Sequence, residues 1–123
     1  MMAQVTAASL VSESKALSMP KSVDTIPTSA DREDHVSMGM TSARAFETIV
    51  EHCEHVLTIE AFSAAQGIWL RHIMPGKGVE RAMDVLMSKV NPLTEDRVMT
   101  QDFAQVHRLI VSGDLLAAAH GSN

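Results

Sequence analysis

Between residues 34 and 72 the chain has no proline and only two glycines, Gly39 and Gly67. An apolar series runs through this stretch at helical spacing: Ala43, Phe46, Val50, Cys53, Leu57, Ala61, Ala64 and Ile68, with Glu47, Glu51, Glu54 and Arg71 pointing elsewhere. An isolated glycine costs only about 1 kcal/mol inside a helix, so neither glycine demands a break. Read as one element over 34–72, the helix would be about 55 Å long at roughly 1.5 Å per residue. A compact domain of this mass has a radius of gyration near about 14 Å. Such a rod would protrude from any globule the chain could build alone, so its apolar stripe predicts an oligomeric bundle, formed with itself or with a larger chain. A break at Gly39 or Gly67 that folds the stretch into one small domain is the alternative.

At 123 residues the chain suits one domain. Hydrophobic residues make up 46% against 3% aromatics, with nine methionines and no tyrosine, a composition that favours close-packed helices over a sheet core. The expected fold class is all-α. A net charge of −5 with scattered basic residues argues against a nucleic-acid surface, and charges recur too often for a membrane span. The single cysteine, Cys53, lies in the apolar series and is expected to be a buried, reduced thiol. The first residues lack a basic segment followed by an apolar core, which makes the cytoplasm the expected setting.

Residues 4–17 read as a first helix with no evident N-cap, as expected either of a segment whose preceding turns lie in another polypeptide or of a frayed terminus. Pro20 and Pro27 make 18–34 a polar connection, longer than a helix-to-helix link needs and therefore a candidate functional loop. At its end Asp31 or Asp34 is placed to cap the long helix. The 74–78 run, Met-Pro-Gly-Lys-Gly, should stop that helix and turn the chain. Further helices are expected over 79–90, ended by Asn91-Pro92, and over 100–112, capped by Thr100 and stopped by Gly113. Residues 117–123 are expected to be loose.

Few clusters carry chemistry. His52 and His55 are three apart beside Glu51 and Glu54, but a zinc-protease helix needs His-Glu-x-x-His and a dinuclear bundle needs Glu-x-x-His pairs. They read as solvated or interface residues, and no metal is expected. Gly76-Lys77-Gly78 is too short for a phosphate cradle and reads as a turn. The remaining cluster, Glu33-Asp34-His35 with Ser37, gathers ionisable groups at a loop-to-helix junction. There Asp34 could orient His35, or raise the affinity of Glu33 for a proton, giving a proton acceptor. Helix capping is the simpler reading of the same residues.

The run QVTAASLVSESKALSMPKSVDTIPTSADREDHVSMGM resembles the C-terminal half of the histidine ammonia-lyase family, which includes the phenylalanine and tyrosine ammonia-lyases. The likeness continues through Leu57-Thr58-Ile59-Glu60, Ala64-Ala65-Gln66-Gly67, Asn91-Pro92-Leu93 and Asp96-Arg97. Residues 22–30 followed by 33–39 are its most specific part and point to the histidine branch. The resemblance implies an elimination of ammonia from an L-amino acid to give a trans-unsaturated acid. It also implies an all-helical tetramer in which several subunits build each site. By the same resemblance Glu33 is the catalytic residue, contacting a substrate imidazole and helping proton transfer, with Asp34 and His35 in support.

Two departures qualify what the resemblance implies. The family usually carries Asn-Gln where this chain has Asp31-Arg32, and a fixed cation in place of an amide changes both shape and field. Arg32 is therefore a candidate substrate-binding residue, for a carboxylate, or a partner for Glu33 that would weaken it as a base. Second, the family's electrophile, 4-methylidene-imidazole-5-one, forms from an internal Ala-Ser-Gly. None occurs here, nor does any tyrosine to serve as the family's catalytic one. The sequence is expected to be the last quarter of such an enzyme, with no cofactor of its own and no turnover alone. It would become a carbon–nitrogen lyase when complemented by a chain bearing Ala-Ser-Gly. A non-catalytic helical oligomerisation or regulatory protein of the same fold is the competing expectation.

Overall fold

A computed structural model describes residues 1–121 as five helices: α1 (Met2–Leu17), α2 (Gly39–Arg71), α3 (Lys77–Met87), α4 (Thr100–Val111) and α5 (Asp114–His120). Among these residues there is no strand, only an isolated antiparallel bridge between Thr28 and Glu33. The fold is all-α. The chain divides into two compact units, Met1–Cys53 and Glu54–Asn123.

The second unit holds the core. Phe62 and Ala65 of α2, Leu86 of α3, Val90 of the connection that follows it and Val106 of α4 are buried together, and Phe103, Met83, Met87, Leu93, Ile110 and Leu115 pack around them. Each fully buried side chain of this kind contributes about 1.5–3 kcal/mol. Phe62 and Phe103 meet edge to face, with ring centroids 5.3 Å apart. The one buried polar side chain among the described residues, Thr58, donates its hydroxyl to the Glu54 carbonyl at 2.8 Å, so its burial leaves no orphaned group. The link between α3 and α4 is fixed by Gln66, whose amide donates to the Leu93 carbonyl at 2.9 Å and accepts the Leu93 N–H at 2.8 Å. Gln66→Ala removes both partners from a half-buried backbone and is expected to cost about 1–3 kcal/mol, read as a lower urea midpoint by circular dichroism.

Several boundaries differ from the sequence reading. The long helix begins at Gly39 rather than at residue 34, so Gly39 opens it and only Gly67 is interior. Residues ahead of it stay out of the helix because Met38 has φ 52° and the preceding segment is bonded to Thr25, whose hydroxyl accepts the Val36 N–H at 2.7 Å. Asp31 and Asp34 therefore cannot cap α2, and its first turn has no acidic residue. At the other end His72, with φ 50°, turns the chain after Arg71. Lys77 and Gly78 lie inside α3, so 76–78 is a helix start rather than a second turn, and α3 ends at Met87, short of residue 90. Met99, not Thr100, occupies the cap of α4, where its carbonyl accepts the Phe103 N–H at 2.9 Å.

The C-terminal segment is also more ordered than expected. Asp114–His120 forms α5, started after Gly113 at φ 82° and closed by Gly121 at φ 73°. Arg81 holds it by donating to the Ala118 and Ala119 carbonyls at 2.9 and 2.7 Å, the favourable charge for a helix C-terminus. Residues 122 and 123, the rest of the stretch expected to be loose, lie outside the described residues.

The first unit contains no buried residue at all. In it α1 is tied to α2 by Ser14 Oγ and His52 Nδ1, 3.1 Å apart. Along α2 the larger apolar residues of the first part of the series are exposed, Phe46 66%, Val50 41% and Leu57 50%, whereas Ala61 further on packs against the core. Cys53 sits on this same stripe, and its thiol is exposed rather than buried. The covered face of α2 is a different one, Thr58, Phe62 and Ala65. No described helix is long and apolar enough to cross a membrane.

Candidate active-site loop

The connection from α1 to α2 carries every residue singled out for chemistry. Thr28 and Glu33 form a reciprocal pair, Thr28 N–H donating to the Glu33 carbonyl at 2.8 Å and Glu33 N–H to the Thr28 carbonyl at 3.3 Å. Residues so paired in an antiparallel ladder lie about 5.5 Å apart at Cα and project to one side. Between them the chain reverses through three consecutive non-glycine residues with left-handed backbone, Ser29 (φ 55°), Ala30 (φ 56°) and Asp31 (φ 63°). The Arg32 N–H closes this turn onto the Ser29 carbonyl at 3.4 Å. Left-handed geometry costs L-residues roughly 1–2 kcal/mol each, and such strain tends to collect at functional sites. Asp31 is the best suited of the three, because Asn and Asp tolerate this region.

Glu33 is thus held through both of its backbone polar groups while its side chain stays exposed. Arg32, Asp34 and His35 are exposed as well. Among the described residues Arg32 forms no ion pair with Glu33 or with any other carboxylate. The cluster does not converge: His35 joins Ser22, Asp24, Thr25 and Ser37 around an open cleft of about 520 Å³, whereas Arg32, Glu33 and Asp34 do not line it. Asp34 contributes its carbonyl, which accepts the Thr25 hydroxyl at 3.3 Å. Sequence reasoning missed Thr25 as a structural centre of this loop. The only available signal was its place between Asp24 and Pro27, where a hydroxyl residue commonly bonds to neighbouring backbone.

His52 and His55 do not share a site. His52 Nε2 lies 4.0 Å from Glu13, while His55 stacks on His107 with ring centroids 4.7 Å apart, and His107 Nε2 is 3.0 Å from Glu54. No group of three or more ligating side chains that could hold a metal occurs among the described residues.

Among the described residues, five helices with no strand and a loop that ends on a strained turn define an all-helical protein. Comparison places it more closely: residues 1–88 match the aromatic amino acid lyase model, and the chain belongs to that family. It is 46% identical over 123 residues to histidine ammonia-lyase of Gloeobacter violaceus, covering 99% of this chain and 24% of that protein. It is 50% identical over 119 residues to histidine ammonia-lyase of Sorangium cellulosum, covering 96% and 23%. The crystal structure of histidine ammonia-lyase from Trypanosoma cruzi superposes with a TM-score of 0.92 at 41% identity over 99% of this chain and 24% of that one. The chain therefore spans about 24% of the length of the relatives it matches.

Proposed function

We propose that this chain is part of an ammonia-lyase that removes ammonia from L-histidine or a related aromatic amino acid to give a trans-unsaturated acid. In this reading it supplies bundle helices and one site carboxylate in the cytoplasm. The observation that carries the reading is the strained turn that holds Glu33 by both backbone groups and leaves its carboxylate free. A carboxylate so presented can accept a substrate proton or bond to an imidazole N–H. Asp34 and His35 support the loop. The electrophilic 4-methylidene-imidazole-5-one would supply the elimination chemistry, but the residues of this chain do not fit its formation, because Ala-Ser-Gly is absent from the sequence. The group would be supplied by polypeptide outside this sequence, and the exposed Phe46, Val50, Cys53 and Leu57 face of α2 is where this chain would join an assembly, with such a partner or with copies of itself.

The test is co-expression with a polypeptide carrying Ala-Ser-Gly, followed by native mass spectrometry and an ultraviolet assay for the conjugated acid. A heteromer that turns over histidine or an aromatic amino acid is the expected result. A homo-oligomer, with no turnover in any combination, overturns it. That outcome favours a non-catalytic oligomerisation protein, a reading to which the unpaired Arg32 lends weight. The two readings also part at Arg32→Gln. In the active complex, removing this fixed charge beside Glu33 is expected to raise kcat/KM for histidine several-fold, whereas a protein without chemistry gives no gain in steady-state assays.

A further inference from the structure

We infer that Thr25 is the positioning residue for the site carboxylate. This inference rests on the proposed role of Glu33 and deepens it. The Thr25 hydroxyl is used twice: it accepts the Val36 N–H at 2.7 Å and donates to the Asp34 carbonyl at 3.3 Å. Its own N–H is taken by the Asp24 carboxylate at 2.8 Å. These bonds grip the chain directly after Glu33, while the Thr28 pair grips Glu33 itself. The segment 33–36 is thereby clamped on both sides of its carboxylate.

The clamp matters because hydrogen bonds, not packing, fix the shape of this loop. No residue of 18–38 is buried, so burial of apolar surface does not order it, and the turn at Ser29, Ala30 and Asp31 is held against its own backbone preference. A single hydroxyl that acts as both donor and acceptor can join an amide and a carbonyl two residues apart, which neither a methyl group nor a carboxylate can do. Loss of it would leave Glu33 in the chain but free to move by an ångström or more, and misplacement on that scale can cost about 100-fold in rate.

Thr25→Val keeps the shape and removes the hydroxyl, and Thr25→Ser keeps the hydroxyl. Two readouts separate the clamp from the function. In the full chain alone, hydrogen exchange at the Val36 amide is expected to quicken in Thr25→Val and stay near the parent value in Thr25→Ser. In the complex with the Ala-Ser-Gly-bearing chain, Thr25→Val is expected to lower kcat by about 100-fold with KM nearly unchanged, and Thr25→Ser to restore most of it. Unchanged exchange at Val36 overturns the clamp. Quickened exchange with parental kcat overturns the positioning role while leaving the clamp. A parent complex without turnover overturns the functional reading and with it the catalytic role of Thr25, whatever the exchange data show.

Discussion

Phe62→Ala is expected to unfold the second unit or bring it to the edge of unfolding. Phe62 is 6% exposed, lies in the cluster with Ala65, Leu86, Val90 and Val106, and meets Phe103 edge to face. Truncating a buried phenylalanine costs about 3–5 kcal/mol through lost transfer energy and the cavity left behind. Small domains have only about 5–15 kcal/mol in total, and this unit rests on very few fully buried side chains. The measurement is a urea titration of the full chain followed by far-ultraviolet circular dichroism, with a large fall in midpoint expected. Phe46→Ala is the informative contrast. Phe46 belongs to the same helix but is 66% exposed, so its loss should change the isolated chain by no more than about 0.5 kcal/mol. An equal effect of the two substitutions would show that α2 buries its apolar series within one chain after all.

That contrast marks what the sequence could reveal about α2. Its length and continuity through Gly67 were legible, because a proline-free run of helix formers leaves little else to form. The face that carries the core was not. Periodicity picked out Ala61, which packs against the core, together with Phe46, Val50, Cys53 and Leu57, which are exposed, and passed over Thr58, Phe62 and Ala65, which are covered. An apolar stripe shows that a surface needs cover without showing which polypeptide provides it. Thr58 gave no signal because its burial depends on a bond to the Glu54 carbonyl that side-chain polarity conceals.

The loop shows the same division. Pro20 and Pro27 marked it as irregular, and Glu33 stood out by resemblance to the lyases. Its geometry was hidden, since left-handed backbone at Ser29 and Ala30 violates the local preference of both residues and is held by the Thr28–Glu33 pair across the turn and by the Arg32 N–H on the Ser29 carbonyl. Reading Asp31 and Asp34 as caps followed from composition alone and placed the helix start five residues early. Helix α5 was missed for the opposite reason. An alanine-rich tail of seven residues is too short to hold helical structure by itself, and it does so here through Arg81, which is distant in sequence.

Glu33→Gln in the complemented enzyme is expected to lower turnover by about 10²–10⁴-fold, the usual contribution of a positioned proton-transfer group. The substitution keeps the side chain nearly isosteric and leaves untouched the backbone bonds to Thr28 that shape the turn. Assembly and helix content should therefore match the parent by native mass spectrometry and circular dichroism, which isolates chemistry from folding. Glu33→Asp retracts the carboxylate by one methylene and should fall between the two, because the acid remains while its reach is lost. The substrate dependence is the sharper discriminator. If the carboxylate meets an imidazole N–H, glutamine forfeits a charge-assisted bond with histidine that phenylalanine never makes, so kcat/KM should drop further for histidine than for phenylalanine. An equal drop for both would place Glu33 in proton transfer alone, and parental turnover with either substrate would remove it from the site.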